Sequence, residues 1–260
     1  MSRAMNAPPS AAEPLLRILR YGWRLPMLAW HVLVHLPATL LTIALFDRRP
    51  PAHAAVRWWS RGLLRVFGMR VQRHGQPLPG GTMFVANHVS WIDIVVLHSQ
   101  HMMGFIAKSE IRDWPLVGWV TTHAETIFLQ RGNSDSLSGV MEEMAQRLRE
   151  GRAVAAFPEG GTRNGAALGA FHARIFTAAV AADATVQPVA LCYGERCQAQ
   201  TIVAFAPRER FLGNFFRLLG EPPRPVKVHF LEPILHAEHA GRRAIAHTAR
   251  ARVQEAMERS

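Results

Sequence analysis

Residues 28–46, "LAWHVLVHLPATLLTIALF", form an apolar run interrupted only by His31, His35 and Pro37. At about 1.5 Å of rise per residue such a run is just long enough to cross a bilayer. Arginines stand on both sides, Arg17, Arg20 and Arg24 before it and Arg48 and Arg49 after it. The charge bias that orients a span therefore nearly cancels, and a tilted or re-entrant segment fits as well as a true span. "FDRRPP" breaks the pattern, and "AHAAVRWWSRGLLRVFGM" reads as a second helix. In it Arg57, Arg61 and Arg65 recur every four residues, with Trp59, Leu63 and Val66 on another face. A basic stripe, tryptophans and an aliphatic face are what an interfacial helix requires. A core helix with a solvated arginine edge gives the same pattern. The reading adopted is a membrane-associated helical pair over residues 15–68, preceded by an Ala-, Pro- and Ser-rich stretch, residues 1–14, expected to be disordered.

From residue 69 short apolar runs alternate with helical periods. Strands are expected near 69–74, 82–86, 103–107, 125–130, 153–157, 185–191, 201–206 and 225–231. Helices are expected near 91–100, 113–122, 134–149, 170–182 and 239–258. This alternation predicts an α/β domain over residues 69–260, a mixed, largely parallel sheet covered by helices. "RFLGNFFRLLG", 210–220, sets aromatics between arginines. It reads as a second membrane contact or lid, or equally as a loop helix packed on the core.

Composition narrows the partners. The 260 residues are 49% apolar, enough for a sizeable core, and 30 basic against 19 acidic side chains give a formal charge of +11. Lys108 and Lys227 are the sole lysines, so the charge is carried by arginine, whose planar fork grips phosphate in a bidentate way. Anionic partners follow: phospholipid head groups, nucleic acid or phosphorylated ligands. The basic residues are spread along the chain and no nucleic-acid motif is present, which argues against nucleic acid. Cys192 and Cys197 form no metal-ligand pattern and indicate no disulfide scaffold, so a reducing compartment is expected, with no cleavable signal peptide. The 13 histidines are scattered, not spaced for zinc, and no metal is expected.

Candidate chemistry begins at "FVANHVSWIDIVVL", 84–97. "TMFVA" is a strand, Asn87 and His88 stand at its end, and a helix follows. Ser90 and Asp93 have the spacing of a capping-box relative, which explains the acid as a helix cap. His88 lies where open α/β sheets place ligands, and a histidine there takes a proton near neutral pH. A carboxylate beside it would fix its tautomer, as in a hydrolytic triad. Residues five apart lie on different faces of an ideal helix, so the pair meets only if the chain turns between them, as a Ser90 cap would make it do. Both readings of Asp93 stand at this point.

Three further stretches carry chemistry-bearing side chains. "AAFPEGGTRNG", 155–165, is a strand ending in a turn whose glycines let backbone amides approach a ligand, with Glu159 and Arg163 projecting from it. Either charge alone fits a solvated turn. "ETIFLQRGN" ends a strand in Arg131, and "TVQPVALCY" is a strand holding Pro188, which marks an edge, bulge or strand start.

These four stretches, in this order over roughly residues 70–195, resemble the glycerolipid acyltransferase family, whose members include lysophosphatidic acid acyltransferases. "NHVSWID" matches its N-H-x4-D motif at Asn87, His88 and Asp93. "IFLQRG" is similar to the second block, which implies that Arg131 binds an acceptor phosphate. "FPEGGTR" resembles the third block, F-P-E-G-T-R-S, and "VQPVAL" the fourth. Gly161 places Arg163 one position late, which reads either as an insertion or as the F-P-E-G-T-T-x-D-G branch with Gly161 and Arg163 as substitutions. His172 stands where an F-K-x-G segment has lysine, and Gln130 precedes Arg131 where an acidic or small residue is usual.

The resemblance implies an O-acyltransferase with His88 as general base and Asp93 as its orienting partner. Arg131, Glu159, Gly160, Gly161, Thr162 and Arg163 would hold the acceptor, with Asn87, Ser90 and Pro188 in support. No G-x-S-x-G elbow is present and neither cysteine adjoins a histidine motif, so direct transfer is expected without a covalent acyl-enzyme. No cofactor is expected; acyl-CoA or acyl carrier protein is the donor substrate. The leading acceptor is 1-acyl-sn-glycerol 3-phosphate, giving phosphatidic acid in phospholipid biosynthesis. The alternatives are a lyso-ornithine lipid or another lysophospholipid, thioester hydrolysis, or a non-catalytic basic membrane-binding protein. The expected place is the anionic surface of the inner (cytoplasmic) membrane, with the site facing the cytoplasm.

Overall fold

A computed structural model describes residues 12–47, 49–113, 125–129, 134–235 and 241–260. The first expected segment, residues 1–14, therefore lies almost wholly outside the described residues, as do Arg48 and most of the helix expected over 113–122.

The N-terminal helices come first. Glu13–Trp30 (α1) continues through a π-helical turn at His31–His35 into Leu36–Phe46 (α2). Together they make the one helix, among the described residues, long and apolar enough to cross a membrane. Pro37 lies just after the π-helical turn, and the helix runs on through it to Phe46. Asp47 turns the chain at positive φ, and Pro50–Val66 (α3) packs back along α2. Gly62 of α3 lets the His31 ring approach: a Cβ there would stand 2.3 Å from Cε1. Arg24, expected as a flanking charge, is instead fully buried, because it donates to the carbonyls of Leu219 and Glu221 at 2.8 Å each. A guanidinium belongs at such a helix C-terminus, where carbonyls lack amide partners.

The strands are Met69–His74 (β1), Met83–Ala86 (β2), Gly104–Lys108 (β3), Ile127–Leu129 (β4), Val154–Ala156 (β5), Val186–Tyr193 (β6) and Arg224–Phe230 (β7). They form one sheet in the order β1-β7-β6-β2-β5-β3-β4. Every neighbouring pair is parallel except β6 with β7. The mixed, largely parallel sheet expected from the alternation is borne out. The covering helices are Ile92–His98 (α4), Ser134–Arg149 (α5), Thr177–Ala182 (α6), Gln200–Val203 (α7), Phe211–Gly220 (α8) and Arg242–Arg259 (α9).

Strand β2 is buried on both faces, as continuous apolar runs in parallel sheets are. Phe84 and Ala86 join a cluster with Leu64, Phe67, Ile92 and Leu219, while Met83 and Val85 join Met144, Phe176 and Ile245 on the other face. The strand expected over 201–206 is absent. Ala199, Gln200, Val203 and Ala204 are the buried positions, a helical spacing, and the segment folds as α7. Nor are the cysteines free: Cys192 and Cys197 are bonded across a short loop that turns at Gly194 and Cys197, both at positive φ.

Candidate active site

The apolar residues of β2 end in Asn87, whose side chain continues the ladder. Its Oδ1 accepts from Leu191 N–H at 2.8 Å and its Nδ2 donates to Leu191 O at 3.0 Å. This fixes the strand end and delivers His88 to the carboxyl edge of the parallel strands, where open α/β sheets form their crevices.

His88 Nδ1 lies 2.8 Å from Asp93 Oδ2. The same oxygen accepts the Val89 and Ser90 amides at 2.7 and 3.0 Å. Both readings of Asp93 therefore hold at once: the carboxylate that caps the turn also orients the histidine. Ser90 is not the cap, because its hydroxyl donates to Asn214 Oδ1 at 3.0 Å. Asp93 Oδ1 accepts from the Tyr193 hydroxyl, so a fully buried carboxylate receives four donors. An ionised carboxylate accepts hydrogen bonds only, so the Nδ1 of His88 carries the proton and Nε2 offers a lone pair. Nε2 has no partner among the described residues. The ring stacks on Phe157 with centroids 3.8 Å apart, which holds its plane.

Sequence reasoning missed Tyr193 and Asn214. Burial, then the Asp93 charge, raises the Tyr193 phenol well above its usual range, so it remains a donor. Asn214 Oδ1 also accepts from Trp91 Nε1 at 3.0 Å, and its Nδ2 donates to Val203 O, Ala204 O and Glu209 Oε2. Glu209 in turn pairs with Arg217, whose hydrogen bond, chief among several, lowers the carboxyl to about 2. The signal available for Asn214 was its single amide inside the aromatic helix of 210–220.

The third block closes over the same turn. Glu159 is buried, with Oε1 accepting the His88 amide at 2.8 Å and Oε2 accepting the Gly169 amide at 2.8 Å. It braces the His88 loop from below and is not solvated. Arg163 N–H donates to His88 O at 2.8 Å, and its guanidinium donates to Glu159 O at 2.7 Å, with its Nε 3.7 Å from the Glu159 carboxylate. Gly160 takes positive φ and lies under the His172 ring, where a Cβ would come within 3.3 Å. Its amide donates to Phe157 O, whereas the amides of Gly161 and Thr162 have no partner among the described residues.

Pro188 sits inside central strand β6, opposite Val85, not at an edge. Leu231 O, which an amide at 188 would have met, accepts Gln187 Nε2 at 3.2 Å instead, so the ladder tolerates the proline. Arg131 lies outside the described residues. Among those described, no cluster of potential metal ligands is present.

The arrangement is suited to proton abstraction by a tautomer-fixed histidine beside two open backbone amides. The acyltransferase family model matches residues 70–192. A lyso-ornithine lipid O-acyltransferase of Pseudomonas aeruginosa is 36% identical over 188 residues, 72% of each chain. One of Brucella abortus is 34% identical over 213 residues, 76% of this chain and 79% of that one. A 1-acyl-sn-glycerol-3-phosphate acyltransferase of Neisseria meningitidis is 35% identical over 144 residues, 55% of this chain and 56% of that one. In fold, the crystal structure of a 1-acyl-sn-glycerophosphate acyltransferase from Thermotoga maritima aligns with a TM-score of 0.73 at 18% identity, covering 95% of this chain and 97% of that one.

Proposed function

The chain belongs to the acyltransferase family, and from that premise we propose that it moves a fatty acyl group from a thioester donor to the free hydroxyl of a lysolipid, with lyso-ornithine lipid as acceptor. The observation that carries the reaction is the His88 Nδ1–Asp93 Oδ2 contact of 2.8 Å with Nε2 left free.

In this mechanism Nε2 takes the acceptor proton as the hydroxyl oxygen attacks the thioester carbonyl. Asp93 steadies the imidazolium that forms, and Tyr193 with two turn amides steadies Asp93. The open amides of Gly161 and Thr162 are the donors available to the developing oxyanion. When the tetrahedral species collapses, the imidazolium returns the proton to the departing thiolate. General-base assistance of this kind contributes roughly 10²–10⁴-fold. The donor is acyl-CoA or acyl carrier protein, both anionic and matched to a chain of charge +11.

Lyso-ornithine lipid is placed ahead of lysophosphatidate for two reasons. The relatives so named align over the longer shares quoted above. Arg163 is also engaged with Glu159 across its own turn, which an acceptor without a phosphate permits. The second reading, lysophosphatidate, is supported by the Neisseria relative and by Arg131 at the end of the second block. Residues 15–68 would hold the enzyme at the inner membrane, with the site facing the cytoplasm. Support comes from the apolar residues that α1, the π-helical turn and α2 leave exposed, among them Leu19, Trp23, Leu33 and Leu45.

The test offers labelled acyl-CoA with lyso-ornithine lipid or lysophosphatidate to purified protein in detergent micelles, wild type beside His88→Ala. Product on lyso-ornithine lipid, lost in the variant, is expected. Product on lysophosphatidate alone would replace the acceptor and keep the mechanism. Undiminished turnover in His88→Ala would remove the general base.

A further inference from the structure

Away from His88, a pocket of about 450 Å³ opens between α3 and the edge strand β1. Arg61, Arg65, Arg70 and Arg73 line it, with Leu64, Met69, Val71 and Gln100, and no acidic side chain does. Two of these arginines belong to the stripe visible in the sequence; the other two come from β1 and meet it only in the fold. Arg61 lines the pocket and is anchored through its Nε to Ser99 O at 2.9 Å, while its two terminal nitrogens have no partner among the described residues. Among the described residues Arg65, Arg70 and Arg73 have neither a hydrogen-bond nor an ion-pair partner for their side chains. This sets them apart from Arg17, Arg20, Arg24, Arg152, Arg217 and Arg224, each of which is tied to a carboxylate or carbonyl.

Four arginines lining one opening, from α3 and from both faces of the edge strand β1, gather positive charge that an anion there would offset. Guanidinium forks match phosphate oxygens in pairs, and the short aliphatic wall of Leu64, Met69 and Val71 excludes water from one side. We propose that this pocket is a phosphate-binding site, separate from the acyl-transfer centre, that takes the phosphate of a phosphorylated ligand. The same chemistry is offered by a phospholipid head group and by a soluble phosphoester. The head group has the stronger claim, because the end of α3 that carries Arg61 packs against the π-helical turn of the long apolar helix, where Leu33 is exposed.

The proposal is independent of the acyl acceptor, since binding is read without turnover. The full chain in zwitterionic detergent is titrated calorimetrically with pyrophosphate. In a second arm its retention on zwitterionic nanodiscs is compared with that on discs carrying phosphatidylglycerol. Arg70→Gln with Arg73→Gln is set against Arg196→Gln with Arg243→Gln, an exposed pair outside the pocket that removes the same charge. All three proteins are first matched by thermal midpoint. One saturable pyrophosphate site, weakened about tenfold by the pocket pair and less than about twofold by the control pair, is expected. Loss of the phosphatidylglycerol preference in the pocket pair would identify the head group as the source. Loss confined to the pyrophosphate arm would identify a soluble phosphoester. Equal losses in the two pairs, or no saturable binding in either arm, would overturn the proposal.

Discussion

Asp93→Asn isolates the charge of the orienting carboxylate from its geometry. Oδ2 accepts from His88 Nδ1, Val89 N and Ser90 N, while Oδ1 accepts only from the Tyr193 hydroxyl. An asparagine with its oxygen in the Oδ2 place keeps the first three contacts. Its amide nitrogen then meets the Tyr193 oxygen, which accepts as well as donates. The histidine stays where it is, and the negative charge is gone. At 2.8 Å and an effective dielectric near 20, a full ion pair is worth about 6 kcal/mol. The imidazolium is only partly formed in the transition state, and the His88 side chain is 14% exposed to water. About half of that figure, ~3 kcal/mol, is therefore the expected loss, or roughly 100-fold in kcat. The assay is steady-state acyl transfer in detergent with acyl-CoA varied at saturating acceptor, alongside circular dichroism and a thermal midpoint. A fall in kcat of about 100-fold with KM within about threefold is expected, because the carboxylate acts through His88 and not on substrate. A kcat within about threefold of the parent, in a protein of unchanged midpoint, would refute the charge argument.

Tyr193 is held protonated by burial first and by Asp93 second, so its folded pKa lies above its unfolded one. Its contribution is complete below about pH 10, where an unfolded tyrosine still binds its proton, and declines as pH rises beyond that; Tyr193→Phe should flatten the alkaline fall in denaturant midpoint. His98 is the opposite case, a buried base lowered to about 4 chiefly by desolvation. As pH falls from about 6.5 toward 4 the unfolded chain takes a proton that the fold refuses, so stability drops by about 3 kcal/mol across that window; His98→Gln, compared with wild type by chemical denaturation at each pH, should remove that part of the slope. Gly62→Ala puts a Cβ 2.3 Å from the His31 ring. It should lower stability by about 1–3 kcal/mol, with partial recovery in Gly62→Ala/His31→Ala; no recovery in the double-mutant cycle would mean that the clash lies elsewhere.

The sheet was legible because its strands are short apolar runs, and the sequence alternation placed β1, β2, β6 and β7 to within two residues. The error at 201–206 has a plain cause: "TIVAFA" is apolar after its threonine, and only burial at Ala199, Gln200, Val203 and Ala204 reveals a helical face. His88 and Asp93 were visible because the turn that joins them is local. Tyr193 and Asn214 were not, since they reach the site from 100 and 124 residues away and neither belongs to a local pattern. Ser90 was assigned a cap because spacing alone cannot tell which partner a hydroxyl chooses. Pro188 suggested an edge because a proline withholds a donor; the substitute donor, Gln187 Nε2, is a side chain whose direction no periodicity records. The cysteines gave no hint of pairing because their spacing does not record the turn that joins them, which bends at Gly194 and Cys197 with positive φ.

The helix α8 joins the apolar surface to the chemistry. On its outer side Leu212 and Phe216 are exposed beside the apolar residues of α1. At its C-terminus Arg24 grips the carbonyls of Leu219 and Glu221, while Tyr21 donates to Phe216 O, so α1 and α8 move as one piece. On its inner side Asn214 accepts from Ser90 and Trp91, two of the three residues between His88 and α4, and Phe215 stacks on Trp91. A lysolipid lying in a bilayer surface presents its hydroxyl near the level of the head groups, and direct transfer requires His88 Nε2 at that level. A fold that hung the catalytic turn from loops alone would let that height vary. In the reaction proposed above that height would be set by one buried amide on a helix whose outer face leaves Leu212 and Phe216 exposed. A leucine at 214 would fill the same space but leave Ser90 Oγ and Trp91 Nε1 without partners.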